Sequence, residues 1–168
     1  MFAIQEDGSV TYRIAGLDPS RFAPLLALDD GQLARHRARR LVAEADRGFP
    51  CRVTLEDARK GEPLLLVHHV HHDVESPYRS AFAIFVRADA AEAAVYRDQC
   101  PPAFEGRTLS LRGFDERGDL AEARLAAPGE ADVAIRGLFA DPRIAYINAH
   151  NAAYGCFAAR IEREGEAA

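Results

Sequence analysis

The chain has 168 residues, 48% apolar and 28% charged, which suits a single globular domain over residues 1–168 and excludes a disordered chain. No apolar run approaches the ~20 residues that a membrane-spanning helix needs, and the first residues lack the basic flank and apolar stretch of a secretory signal. A net charge of −5 argues against broad nucleic-acid binding, so the expectation is a soluble, cytoplasmic protein with neither a membrane nor a nucleic acid as partner.

Val10 to Ile14 alternates in the manner of a strand. Asp18-Pro19 offers an N-cap followed by proline at the first helical position, and Pro24 should keep the helix carrying Phe22, Leu25 and Leu26 short. A second helix is expected to start after Asp29 or Asp30 and to run to about Arg37. The basic stretch Arg35 to Arg40 would then be its solvated C-terminal end, where cations complement the helix dipole. Thr54-Leu55-Glu56-Asp57 has the spacing of a capping box opening one helical turn.

Pro63 to Val70 is a strongly apolar strand, ended by Ser76-Pro77. Ala81 to Arg87 is apolar on both faces and is therefore expected at the centre of a sheet. The alanine-rich segment Asp89 to Tyr96 predicts a helix capped by Asp89, and Thr108 to Phe114 another strand. Ala131, Ile135, Leu138 and Phe139 share one helical face, with Asp141-Pro142 ending that helix. Ile144 to Ala149 and Cys156 to Ile161 form an antiparallel hairpin around the turn His150 to Gly155. The sum is an α+β domain: a mainly antiparallel sheet of five or more strands with three or four short helices.

Three groups of residues carry possible chemistry. In His68-His69-Val70-His71-His72, strand alternation places His69 and His71 on one face and His68 and His72 on the other. A His-x-His pair, with His150 as third ligand, could hold a metal. The preferred reading is a strand end with unliganded histidines, and no metal ligand is assigned. His150-Asn151 with Cys156 resembles the parts of a cysteine–histidine–asparagine relay, but the apolar strand settings of Cys51 and Cys156 fit packed thiols better. Asn151 also suits a turn. In Ser76-Pro77-Tyr78-Arg79-Ser80, Arg79 could capture a small acid at the lip of a sheet or form an ion pair with Asp73 or Glu75.

Two compositional features bear on these groups. Cys51, Cys100 and Cys156 are an odd set without a Cys-x-x-Cys, which points to reduced thiols rather than a disulfide framework. Lys60 is the only lysine; codon bias accounts for most of the arginine excess, and a few arginines can serve two-pronged recognition of an anion. Dinucleotide, phosphate-loop, nucleophile-elbow and zinc-protease motifs are absent.

Several segments together resemble the domain-of-unknown-function 1203 family of bacterial proteins. They are Gly48 to Ala58 with Gly61-Glu62, Ser76 to Ser80 with Ile84 to Arg87, Leu109 to Arg112, Asp141 to Tyr146, His150-Asn151-Ala152 and Gly155-Cys156. Where the family reads Asn-Tyr-Glu-His-Gln after the leucine run, only His71 matches; His68, His69, Val70 and His72 depart, which undercuts a four-histidine metal site as a shared function. The resemblance implies no activity and no cofactor, but it directs attention to Cys51, Arg52, His71, Tyr78, Arg79, His150, Asn151 and Cys156 as residues of one pocket.

The leading expectation is a protein that binds a small anionic metabolite, with Arg52 and Arg79 clamping the anion. His71 and His150 are the candidate acid–base catalysts if the protein is an enzyme, and Cys51, Tyr78, Asn151 and Cys156 complete the ligand-binding set. The alternatives are a non-catalytic structural or interaction module and, last, a histidine-based metal-binding protein. The sequence leaves the oligomeric state, the cofactor and the identity of the ligand open.

Overall fold

Two antiparallel sheets and three short α-helices make up the computed structural model, which describes residues 10–164. In chain order the elements are β1 (Tyr12–Ala15), α1 (Ala23–Leu26), α2 (Asp30–Arg35), β2 (Ala38–Val42), β3 (Pro63–His72), β4 (Ser80–Arg87) and β5 (Val95–Arg97). There follow β6 (Leu109–Phe114), β7 (Leu120–Ala126), α3 (Ala131–Phe139), β8 (Tyr146–Asn151) and β9 (Phe157–Arg163), with single 3-10 turns at Pro19–Arg21 and Pro102–Phe104. One sheet has six strands in the order β5-β1-β9-β8-β6-β7, and the other three in the order β2-β3-β4. The α+β expectation holds. No helix of the described residues is long and apolar enough to cross a membrane.

Local chemistry accounts for the elements that form as read. Asp18 accepts from the Ser20 amide and opens the first 3-10 turn, and the next helix is four residues long with its proline in the first turn, where the missing amide costs no intrahelical bond. Asp29 closes a full capping box with Gln32. On α3, Ala131, Ile135, Leu138 and Phe139 are buried together against Leu109, Leu111, Ile147 and Ala149 of the six-stranded sheet. Burying side chains of the larger kind stabilises by roughly 1.5–3 kcal/mol each. The β8–β9 hairpin pairs Ala149 with Ala159 and His150 with Phe157, with a register shift between them.

Five local expectations are overturned. Arg35 to Arg40 is not a helix end: α2 stops at Arg35, Arg37 takes a positive φ of 53°, and Ala38–Val42 becomes β2 by pairing with Pro63–Val67. Thr54–Asp57 opens no helix. Leu55 is driven into the left-handed region (φ 55°) with its side chain 1% exposed in the core, and the Asp57 carboxylate accepts from the Gly48 and Phe49 amides (3.1 and 3.2 Å). Asp89–Tyr96 is not helical either. Asp89 pairs with Arg87 instead of capping, the Ala94 amide donates to the Val53 carbonyl (2.9 Å), and Val95–Arg97 forms an edge strand on β1; tertiary pairing overrides the helix propensity of alanine. The central strand of the small sheet is β3, and β4 lies at its margin with only a single parallel bridge, Cys51 to Phe85, on its outer side. Finally, a bulge between Val70 and His72 turns His72 away from the exposed His68 and into the interior, 2% exposed.

The segment Pro50–Leu55 runs between the sheets and touches both. The Arg52 amide donates to the Phe85 carbonyl (3.0 Å), the Arg52 carbonyl accepts from Leu17 (2.8 Å), and Gly16 donates to Ala94 (2.8 Å). Gly16 is pressed so closely on this segment that a β-carbon there would lie 1.9 Å from the Val53 carbonyl oxygen. The atom in the way is backbone, so Gly16→Ala is expected to destabilise at or above the top of the roughly 1–3 kcal/mol range for overpacking. Gly31→Ala, inside α2 with 3.4 Å to its nearest neighbour, should instead gain up to about 1 kcal/mol from helix propensity. Urea denaturation of the two variants checks both signs.

Candidate functional site

A pocket of about 560 Å³ opens between β4 and the β8–β9 turn. Its walls are mostly apolar, with Leu66, Phe82, Phe85, Ala152 and Ala153 among them, and Tyr154 stands at the edge, 83% exposed. Polar groups reach it at Arg52, Arg107, Thr108, Asn151 and Cys156.

The two arginines differ in charge balance. Arg107 donates to both Asp57 carboxylate oxygens at 2.9 and 2.7 Å and to the Ala103 carbonyl at 2.6 Å, so its charge is neutralised in a two-pronged pair. Arg52 is only 2% exposed, yet no carboxylate among the described residues lies within ion-pair distance of it. Its Nε donates to the Phe157 carbonyl at 2.6 Å and its Nη1 to the Pro50 carbonyl. Burial pushes the guanidinium down from its ordinary value, and the Cys156 thiol beside it opposes that shift. A cation buried beside carbonyls and a thiol, with no carboxylate near it, retains a strong demand for an anion.

Asn151 and Cys156 form a second polar unit of the pocket. The turn between β8 and β9 closes with the Asn151 amide on the Cys156 carbonyl (2.9 Å) and the Gly155 amide on the Asn151 carbonyl (2.8 Å). In the same turn Asn151 Nδ2 donates to Cys156 Sγ at 3.3 Å. Asn151 Oδ1 is buried and has no hydrogen-bond partner among the described residues.

The other residues singled out from the sequence fall elsewhere. Cys51 is buried behind the pocket, its Sγ accepting the Thr54 and Arg87 amides at 3.5 and 3.3 Å. Arg79 forms an exposed ion pair with Asp73 at 2.9 Å, the other reading of that segment. The Tyr78 carbonyl meets His72 Nδ1 at 3.0 Å, and its ring is exposed. His71 and His150 do not line the pocket: His71 stacks on the Phe157 ring at 5.2 Å and meets His150 edge-on at 4.8 Å. The His150 Nδ1 is 3.0 Å from the Gly155 carbonyl.

Burial dominates the histidines. It lowers His69 to about 4, His71 to about 3 and His150 to about 4, so all three imidazoles are neutral near pH 7 and none has the neutral-range value best suited to acid–base catalysis. No group of three or more His, Cys, Asp or Glu among the described residues is placed to hold a metal. Arg107 and Thr108 escaped the sequence reading because only the packing of the 98–108 loop beside Asp57 brings them to the pocket. Tyr154 was hidden inside a turn that the hairpin itself explained.

The fold and pocket together define a two-sheet α+β domain with a buried arginine at the wall of an apolar cavity. The family described as "Protein of unknown function (DUF1203)" matches residues 48–163, a span that contains every residue lining the pocket, and the chain belongs to that family. Among curated proteins and among solved structures, no match is found.

The histidine values carry a sign. The unfolded chain binds protons at histidine near the ordinary value of 6.5, whereas folded His71 does so only at about 3. Between those values the unfolded state holds more protons, so stability falls as the pH drops through this window. His71→Phe, which keeps a ring on Phe157, should flatten the decline in thermal midpoint between pH 6.5 and pH 4 relative to the parent protein. A slope identical to the parent's would show that His71 is not the group responsible.

Proposed function

We propose that the protein binds a small anionic molecule with an apolar body in the pocket between β4 and the β8–β9 turn. The observation that carries this reading is Arg52, buried at the pocket wall with no carboxylate partner among the described residues. The anion would meet the guanidinium, supplying the compensating charge, while Phe82, Phe85 and Leu66 receive the apolar part and Asn151 and Cys156 orient it. Arg79, engaged with Asp73, plays no part in this clamp. The neutral His71 and His150 lie outside the pocket's lining, which favours a binding role over an acid–base enzyme. Three free cysteines suit a reducing, cytoplasmic setting.

A structural role for the same residues is the second reading. It is favoured by the hydrogen bonds from Arg52 to the Pro50 and Phe157 carbonyls, which tie chain segments together. The two readings separate in a thermal-shift and calorimetric titration with decanoate and phenylacetate, using the uncharged alcohols decanol and phenylethanol as controls. At a hundredfold excess over Kd a bound carboxylate should raise the midpoint by roughly 5–10 °C, the alcohols far less. Arg52→Gln should abolish the shift. Since that change also removes packing, Ala153→Glu, at an exposed position of the pocket, should abolish it by placing a competing carboxylate there. Equal shifts with acids and alcohols, undiminished binding by Ala153→Glu, or no binding of either acid would overturn the anion-binding reading and leave the structural one.

A further inference from the structure

The face of the six-stranded sheet that carries Asn148 presents a polar wall, none of whose residues lines the pocket. It starts at Asn148 on β8, whose side chain is 0% exposed while both Nδ2 and Oδ1 lack any hydrogen-bond partner among the described residues. An unmade buried hydrogen bond costs roughly 1–3 kcal/mol, and a leucine of similar size would avoid that cost, so such an amide in a core calls for a partner.

The strand register shows what surrounds this amide. Asn148 pairs directly with Arg112 of β6 on one side and Arg160 of β9 on the other, and directly opposed residues of antiparallel strands project from the same face. His150 and Ser110, a second opposed pair, lie on that face two residues further along. The Arg112 Nε donates to Ser110 Oγ at 3.3 Å, and no carboxylate among the described residues is within ion-pair distance of its guanidinium. Burial lowers Arg112 from its ordinary value. Arg160, in contrast, is committed to Glu162 at 2.8 Å and lies over the Tyr146 ring at 3.8 Å. From the three-stranded sheet His71 closes over His150, and its Nδ1 is also buried without a partner.

These groups specify a chemistry. Arg112 supplies positive charge and donors, and Asn148 Nδ2 supplies another donor. Asn148 Oδ1 requires a donor in return. A carboxylate or sulfate presents acceptors only and would leave Oδ1 unmatched, whereas an oxyanion that retains a proton presents both. We propose that Arg112, Asn148, Ser110, His150 and His71 form a binding site, separate from the Arg52 pocket, for a small oxyanion bearing an O–H group, hydrogenphosphate or hydrogencarbonate. Arg112 balances the charge, Asn148 reads the protonated oxygen together with an unprotonated one, and the neutral imidazoles donate or accept according to tautomer.

The experiment uses the full chain in a morpholine-sulfonate buffer at pH 7, free of phosphate and sulfate, titrated separately with sodium phosphate, bicarbonate and sulfate. The imidazole Cε1–H resonances of His71 and His150 and the thermal midpoint are followed. Phosphate or bicarbonate, whichever is the ligand, should move both resonances saturably and raise the midpoint. Sulfate should bind about tenfold more weakly, as expected for one hydrogen bond left unmade. Asn148→Leu should remove the response to every anion, and Arg112→Gln should weaken it by at least about tenfold even if the leucine variant folds poorly. Equal responses to all three anions, no response to any, or an unchanged titration in Arg112→Gln would overturn the site and leave Asn148 hydrogen-bonded to trapped water alone.

Discussion

The structure depends on how one buried arginine joins its two sheets. Arg52 has its amide on Phe85 of the small sheet, its carbonyl on Leu17 just after β1 of the large one, and its guanidinium on the carbonyl of Phe157 in β9. Among the described residues, neither sheet pairs with the other through a strand ladder. This short segment, with the Cys51–Phe85 bridge next to it, supplies the polar continuity between them. Cys51 and Val53 on either side of Arg52, together with Phe157, belong to the core beneath the small sheet. Placing a cation at that joint satisfies several carbonyls at once, but carbonyls do not neutralise charge. The same contacts that fasten the sheets therefore create an electrostatic demand at the pocket wall.

Phe157 touches two chemically different groups of residues. Its carbonyl holds Arg52, and its ring forms the floor for His71 and one wall for His150. The group at the pocket is mostly apolar with one unbalanced cation. The other carries amide, imidazole and guanidinium side chains. Most of the other arginines are occupied differently. Arg143 with Asp141, Arg124 with Glu122 and Arg160 with Glu162 are short-range surface pairs, each worth little to stability. The arginine excess of the composition is thus mostly a solvated background, against which Arg52 stands out by being 2% exposed without a carboxylate partner among the described residues.

The parts of the fold legible in the sequence are those whose stability is decided locally or by one face. Helix α3 carries a complete apolar stripe, β3 a continuous apolar run, and the β8–β9 hairpin a turn whose polar residues separate two apolar strands. What escaped was decided by partners far along the chain. Ala38–Val42 is a strand because β3 lies beside it, and β5 and β7 are edge strands recruited by β1 and β6. For β4, apolar residues on both faces suggested a central strand; one face serves the core through Ile84 and Val86, while Ala83 and Phe85 line the pocket. Of the residues singled out from the sequence, Arg52, Asn151 and Cys156 meet at the pocket because the hairpin and the Pro50–Leu55 segment converge there. Arg79 does not, because Asp73 six residues away is its nearer anion.

By itself the sequence determined the α+β class, the C-terminal helix and hairpin, and the family to which the chain belongs, since these rest on residue type, periodicity and short spacing. Only the tertiary structure decided which charges are balanced. Arg107 finds Asp57 across fifty residues of chain, Arg52 finds carbonyls and a thiol but no carboxylate among the described residues, and Asn148 is enclosed between two arginines with its amide unmatched among those residues. Whether a polar group is satisfied depends on burial and on neighbours brought together by long-range packing, and a linear pattern of residue types does not contain that information.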